Sequence, residues 1–397
     1  MSLKGDFLNH QAQTTKNPFG LDIVKAEGSY IYDRDGKSYL DMIAGVAVSN
    51  IGHRHPKIIK AIQDQIDNYL HVMVYGEYIQ EPQVRLAKKL ASLLPEKLNC
   101  SYFVNSGTEA NEAAIKLAKR FTGRTEIIAM KKSYHGSTHG SLSITGNEEK
   151  KYFVRPLLPD VKFIEFNNLA DLNQITRRTA CVITEPIQGD AGIRIPDNSY
   201  MEALRLKCNE TGTLLIFDEI QTGYGRTGSM FTFEQFNIIP DILTIGKAMA
   251  GGMAMGGFIS SKEIMHTLSN NPMLGHITTF GGHPVCCAAG VAMLEVLEKE
   301  NIIESVNQKA DLLATLLRHK IVKEIRFRGL FFAVELENFE VVEKVVNKCL
   351  ANGLIGFWFI SCKNAFRIAP PLNISENDIR KAGSIIQQIF DEVAKER

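Results

Sequence analysis

From about residue 56 to residue 285 the chain alternates short apolar runs with amphipathic stretches. The runs are CSYFV (100–104), EIIAM (126–130), VKFIEF (161–166), ACVIT (180–184), TLLIFD (213–218), DILTIG (241–246) and MGGFIS (255–260). Each has the length of a strand, and several are separated by segments with a helical repeat of apolar positions. That alternation predicts a mostly parallel seven-stranded sheet flanked by helices, an α/β architecture. Upstream, SYIYDRDGKSYL (Ser29–Leu40) reads as a hairpin, two aromatic-rich strands about a turn at Asp33–Lys37. After Pro284 the pattern changes: helices through CCAAGVAMLEVLEKE and NIIESVNQKADLLATLLRHK, strands EIRFRG and FFAVELE, another helix, and a closing strand at AFRIAPPL. The expected organisation is an N-terminal segment of residues 1–55, a large domain of residues 56–285, and a smaller α/β C-terminal domain of residues 286–397 that the N-terminal segment completes.

The first strand of the large domain runs into a turn and then a helix. In that helix Ala110, Ala113, Ala114, Leu117, Ala118 and Phe121 form one apolar stripe, and Glu112 and Lys116 can pair on the exposed side. Ser106, Gly107 and Thr108 therefore lie at a helix N-terminus, where free backbone N–H groups and the helix dipole favour an anion such as phosphate. An ordinary Ser/Thr helix cap has the same sequence pattern.

Two further strand ends carry chemistry. TLLIFDEIQTGYGRTG places Asp218 at the carboxyl end of an apolar strand, the edge at which parallel sheets bind ligands. The next strand, in DILTIGKAMAGG, ends in Lys247 among small and apolar neighbours. A lysine drawn out of water has a lowered pKa and a nucleophilic amine. A carboxylate and a lysine on neighbouring strand ends suit pyridoxal 5′-phosphate, the acid for its pyridine nitrogen and the amine for its aldehyde. Competing chemistries lack their parts. LLIFDE resembles the magnesium strand of a nucleotide triphosphatase, yet the only Gly-Lys-Ser lies inside the N-terminal hairpin. His135 and His139 have helical ligand spacing, but glycines follow both and no Cys/His set accompanies them, so no metal is expected. A GxSxG elbow is absent.

Charge and composition narrow the class of partner. Lys and Arg number 45 against 44 Asp and Glu, a net charge of +1, which argues against a broad surface for nucleic acid or acidic membranes. The 7 cysteines lack a CxxC pair and read as free thiols in a reducing compartment. No apolar run reaches the roughly 20 residues of a bilayer span, and the polar N-terminus lacks a secretion signal's apolar core. A soluble, cytoplasmic protein is the expectation.

Taken in order, AEGSYIYDRDGKSYLD, GHRHP, NSGTEANEAAIKLAKR, YHG, EPIQGDAG, IFDEIQTGYGRTG, GKAMAGG, TTFGGHP and FRIAPPL resemble the class III aminotransferases of the ornithine, acetylornithine and 4-aminobutyrate type, which have the fold type I of pyridoxal-phosphate enzymes. The resemblance spans essentially the whole chain. It implies that Lys247 carries the cofactor as a Schiff base and moves the substrate proton, and that Asp218 holds the ring nitrogen. Gln221 would bond the ring's phenolic oxygen, Tyr134 would stack on the ring, and Glu185 would line the site beside it. Ser106, Gly107 and Thr108 would hold the phosphate, with Thr279 reaching it from a neighbouring subunit in a homodimer. An amino donor and 2-oxoglutarate would react in turn, with ping-pong kinetics. Arg367 would bind the α-carboxylate of the oxo acid.

Two positions depart from the family's pattern. Asp190 stands where ornithine and 4-aminobutyrate enzymes place a glutamate that pairs with that arginine. Ser137 stands where an arginine grips the distal carboxylate, and Lys16 is a candidate source of the missing charge. An acetylornithine or ornithine-like donor is expected, with 4-aminobutyrate or a broader set of ω-amines as the alternative. Other reactions on the same scaffold, aminomutase, decarboxylase or racemase, and a pure cofactor-binding protein, make different predictions for turnover.

Overall fold

The computed structural model describes residues 3–396. Three strands, β1 (Ile23–Glu27), β2 (Tyr30–Asp33) and β3 (Ser38–Asp41), form an antiparallel meander where a two-stranded hairpin was expected. All seven apolar runs of the large region are strands: β4 (Cys100–Val104), β5 (Glu126–Met130), β6 (Val161–Ile164), β7 (Thr179–Thr184), β8 (Leu214–Asp218), β9 (Ile242–Ile245) and β10 (Gly256–Ser260). They make one sheet in the order β4-β10-β9-β8-β7-β5-β6. The neighbours from β9 to β6 are parallel, while β10 is antiparallel to both β9 and β4. The link from β9 to β10 is too short for a crossover helix, so the chain can only turn back on itself.

Both faces of the sheet are covered, as the runs of apolar residues require. Successive residues of a strand enter different cores: Ile127 and Ala129 pack on one side with Ile183 and Ile216, and Ile128 and Met130 on the other with Val182, Leu215 and Phe217. On the first side lies the helix Gly107–Thr122, burying Ala110, Ala113, Ala114, Leu117 and Ala118. On the other lie the helices Glu81–Leu93 and Pro284–Lys299. Each large aliphatic side chain buried this way contributes roughly 1.5–3 kcal/mol, which is what holds the strand ends in a common plane.

The rest of the chain builds two smaller sheets. Strands β11 (Glu324–Phe327), β12 (Phe332–Glu335), β14 (Phe357–Trp358) and β15 (Ala365–Ile368) form an antiparallel sheet in the order β11-β12-β15-β14. The remaining strand, β13 (Leu354–Ile355), adds in parallel to β3 through Leu354 and Leu40, tying the N-terminal segment to the C-terminal region. The second predicted helix of this region starts later than its sequence pattern suggests, at Val306 after a 3-10 turn over Ile303–Ser305.

One buried side chain joins these parts, and a second fixes the loop beyond β8. Arg226 is fully buried and donates to the Leu330 and Pro370 carbonyls, both at 2.7 Å, and to Asn50 Oδ1 at 2.6 Å. It meets carbonyls in place of a carboxylate, and burial, with Arg367 nearby, pulls its pKa down to about 9. Glu219, next to Asp218, accepts from the backbone N–H groups of Thr232 (2.6 Å) and Phe233 (2.7 Å) and so anchors the loop beyond β8. Burial pushes its pKa up to about 7 from 4.5.

Between those two values the folded chain binds more protons at Glu219 than the unfolded chain does. The contribution of this group to stability is therefore complete below pH 4.5 and is lost as the pH rises through about 7. Urea unfolding of Glu219→Gln at pH 5 and pH 8 should show a smaller fall in stability across that interval than the wild type, by on the order of 3 kcal/mol. Parallel pH dependences would contradict this origin.

Candidate active site

The carboxyl ends of β4, β5, β7, β8 and β9 meet at one edge of the sheet, and a cleft of about 260 Å³ opens there. Its walls include Gly107, Thr108, Tyr134, Ser137, Glu185, Asp218, Gln221 and Lys247, brought together from five separate segments. Asp218 ends β8 and Lys247 follows β9, its immediate neighbour in the sheet. Ser106 sits behind Gly107 as the helix cap, its Oγ accepting from Glu109 N at 3.3 Å. Thr279 lies outside the cleft, exposed on a loop whose Thr278 accepts from Asn105, the residue before Ser106. Lys16 is exposed and does not line the cleft.

Asp218 is buried, and neighbours saturate one side of it. Its Oδ2 accepts from His135 Nδ1 at 2.7 Å and from Asn111 Nδ2 at 2.8 Å, and its Oδ1 accepts from Ile220 N at 3.1 Å. Asn111 is itself fixed: Thr244 donates to its Oδ1 at 2.8 Å, and its amide also donates to the His135 carbonyl at 2.7 Å. Because a carboxylate only accepts, His135 must carry a proton on Nδ1. Neither His135 nor Asn111 is among the residues expected from sequence. His135 drew attention only as a metal ligand. Asn111 carried a readable signal, a polar residue within the buried stripe of an amphipathic helix.

Lys247 adopts φ 47°, a left-handed conformation uncommon for a side chain of its size, right after Gly246. Removal of its ammonium from water lowers its pKa, against the opposing pull of Asp218, and the positive charge of Arg367 lowers it further. Burial raises Glu185 to about 7. Its two oxygens accept from Tyr134 N at 3.1 Å and Gly189 N at 2.8 Å, so it positions the backbone that carries the aromatic wall. Tyr134 bonds Ser137 through their hydroxyls at 3.2 Å, and Lys150 lies 5.4 Å from its ring centroid.

At the helix N-terminus the two hydroxyls differ. Thr138 donates to Glu112 Oε1 at 2.5 Å, so its oxygen receives the Thr108 hydroxyl hydrogen across 2.7 Å. That hydrogen points away from an anion in the cleft, whereas the Ser106 hydroxyl hydrogen stays free. Two glycines keep the backbone close here. A Cβ on Gly107 would lie 2.7 Å from the Ile220 side chain, and one on Gly136, at φ 132°, would lie 2.3 Å from Thr108 Oγ1.

Arg367, on β15, is buried with its guanidinium 5.2 Å above the Phe359 ring, and its Nε and Nη2 have no partner. Burial lowers its pKa to about 10. Among the described residues no ion pair joins it to Asp190. Asp190 instead accepts from Ile360 N at 3.1 Å and Ser361 Oγ at 2.8 Å.

With this geometry in place, comparison with known proteins decides the family. The model of the family described as Aminotransferase class-III matches residues 11–390. The chain belongs to the class-III aminotransferases. It is 37% identical to an acetylornithine aminotransferase of Methanocaldococcus jannaschii, with 94% of each chain covered. It is 41% identical to a [LysW]-aminoadipate semialdehyde/glutamate semialdehyde transaminase of Sulfolobus acidocaldarius, covering 80% of this chain and 82% of that one. Among solved structures, a transaminase from the marine bacterium Virgibacillus superposes with a TM-score of 0.93 at 28% identity, with 99% of each chain covered. The ornithine aminotransferase of Toxoplasma gondii does so with 0.90 at 27% identity, over 99% of this chain and 95% of that one. The class-III fold seen there is the α/β fold expected here, and the enzyme is an aminotransferase acting on small molecules. No helix among the described residues is long and apolar enough to cross a membrane.

The two hydroxyls at the helix N-terminus should separate experimentally. In calorimetric titration with inorganic phosphate, Ser106→Ala should weaken binding about tenfold, the loss of one hydrogen bond to a charged group. Thr108→Val should stay within about twofold of wild type. Equal losses would overturn the assigned direction of the Thr108–Thr138–Glu112 chain.

Proposed function

We propose that this aminotransferase binds pyridoxal 5′-phosphate in the cleft and moves the amino group of an acetylornithine- or ornithine-like donor to 2-oxoglutarate, with ping-pong kinetics. The observation that carries this reading is the facing of Lys247 and Asp218 across one cleft, on neighbouring strand ends. The donor set suits the cofactor group by group. A helix N-terminus with Gly107 and the Ser106 hydroxyl takes the phosphate, an acceptor-only carboxylate takes the protonated ring nitrogen, Tyr134 takes the ring face, and Gln221 takes the phenolic oxygen. Bound there, pyridoxal phosphate supplies an electrophilic aldehyde and a ring that accepts an electron pair from the substrate's amine-bearing carbon.

The protein's own groups do the remaining work. Lys247 offers an amine of lowered pKa that would hold the cofactor through its aldehyde and would take and return the proton at the substrate's amine-bearing carbon. His135 and Asn111 hold the Asp218 carboxylate in place, where it would accept from the ring nitrogen. Glu185 holds the Tyr134 backbone at the right height. Arg367, buried with unpaired donors, receives the substrate carboxylate, a planar bidentate match.

In this reading Thr279 completes the phosphate site of a neighbouring subunit, and the working unit is a cytoplasmic homodimer. In the same reading residues 1–55 form a segment that packs with a small domain of residues 286–397, and residues 56–285 form the large domain whose strand ends line the cleft. A broader ω-amine or 4-aminobutyrate specificity is the second reading. It is favoured by Ser137, which leaves the distal end of the pocket without an arginine.

Purified protein loaded with the cofactor should lose its visible absorbance when a terminal-amine donor is added and regain it with 2-oxoglutarate. Lys247→Ala should lower turnover by about 10³-fold or more. Carbon dioxide release without any oxo acid, or no spectral change with a broad donor panel, would sink the aminotransferase assignment.

A further inference from the structure

The loop from Phe359 to Ser361 touches both members of the pair Asp190 and Arg367. Phe359 lies under the Arg367 guanidinium, and the next two residues donate to Asp190. The Asp190 loop packs hard against the same segment: a Cβ on Gly192 would lie 2.6 Å from Cys362 Sγ. Ser361 has a second contact, accepting from Asn147 Nδ2 at 3.0 Å. A hydroxyl has one hydrogen, and Asn147 occupies a lone pair, so that hydrogen is directed at Asp190. Asn147, Ser361 and Asp190 thus form a chain of fixed polarity that ends on Asp190 Oδ2, while the Ile360 backbone N–H engages Oδ1.

A buried guanidinium with unpaired N–H groups is costly and draws in any anion within reach. Here two anions compete for Arg367: a substrate carboxylate from the cleft and Asp190 from the protein. The two half-reactions make different demands. An oxo acid such as 2-oxoglutarate brings a carboxylate beside its reacting carbon, whereas a terminal amine brings none and leaves Arg367 uncovered unless a protein carboxylate moves in. We propose that Ser361, aligned by Asn147, is a latch that holds Asp190 off Arg367. It thereby biases the site toward substrates with a carboxylate at the reacting carbon. Ser361 is a positioning residue acting through Asp190. The inference rests on the reading of Arg367 as the carboxylate site of the aminotransferase.

The test uses the cofactor-loaded enzyme and glutarate, a dicarboxylate with no group to react. By calorimetry, Ser361→Ala should weaken glutarate binding about tenfold, because freed Asp190 now competes for Arg367. Ser361→Thr, which keeps the hydroxyl, should bind as wild type does. The double variant Ser361→Ala with Asp190→Asn should regain at least wild-type affinity, since the competing charge is gone. In steady state Ser361→Ala should raise KM for 2-oxoglutarate and lower it for the terminal-amine donor. Unchanged glutarate affinity in Ser361→Ala overturns the latch. So does a double variant as weak as the single one, which would mark simple distortion of the loop. Glutarate binding needs no turnover. A wild type that binds glutarate with this Asp190-dependent pattern yet transfers no amino group keeps the latch and removes the function reading. Normal transamination with no Asp190 dependence removes the latch alone.

Discussion

A carboxylate buried at the end of a strand is the constraint around which the site is built. Asp218 is out of water, and an ionised group in such a place needs hydrogen bonds from the protein. His135, Asn111 and the Ile220 backbone supply them, and each of those is fixed in turn, Asn111 by Thr244 and by the His135 carbonyl. The network spans the helix after β4, the loop after β5, and strands β8 and β9. It therefore ties together the segments that also present Tyr134, the helix N-terminus at Gly107 and Lys247 to the cleft.

The same economy of buried polar groups recurs outside the cleft. Glu219, the very next residue, faces the opposite way and anchors the Thr232–Phe233 backbone. Arg226 gathers carbonyls from two parts of the C-terminal region and a side chain of the N-terminal segment. Each polar group satisfies backbone groups that would otherwise be orphaned, and Arg226 in doing so ties the loop beyond β8 to the C-terminal region and the N-terminal segment. Arg367 keeps two donors, Nε and Nη2, without a partner in the interior, and Arg226 keeps its Nε so.

Much of the fold was legible in the residues because the signal was strong and local. Seven apolar runs bounded by turn residues became seven strands, and the amphipathic stripe after CSYFV became a helix that buries the stripe from Ala110 to Ala118 but leaves Phe121 exposed. What periodicity missed was direction and partner. It does not say that β10 runs against its neighbours, nor that β13 joins a sheet begun some three hundred residues earlier, because pairing between distant segments leaves no trace in either one. The site divides along the same line. Asp218 and Lys247 could be read from strand-end position, yet the opposite orientations of the Ser106 and Thr108 hydroxyls depend on Thr138 and Glu112, which no spacing rule connects.

The amino-acid order by itself determined the alternation of strands and helices, the Ser/Gly/Thr turn at a helix N-terminus, and the two strand ends that carry an acid and an amine, since each follows from local hydrophobic pattern and the geometry of chain ends. Only the tertiary structure decided which groups hold Asp218, that Asp190 turns to Ser361 and away from Arg367, and that Thr279 stands outside the cleft. Those outcomes are contests between alternative hydrogen-bond partners of similar strength. They are settled by a few tenths of an ångström of packing, contributed by residues far apart in the chain.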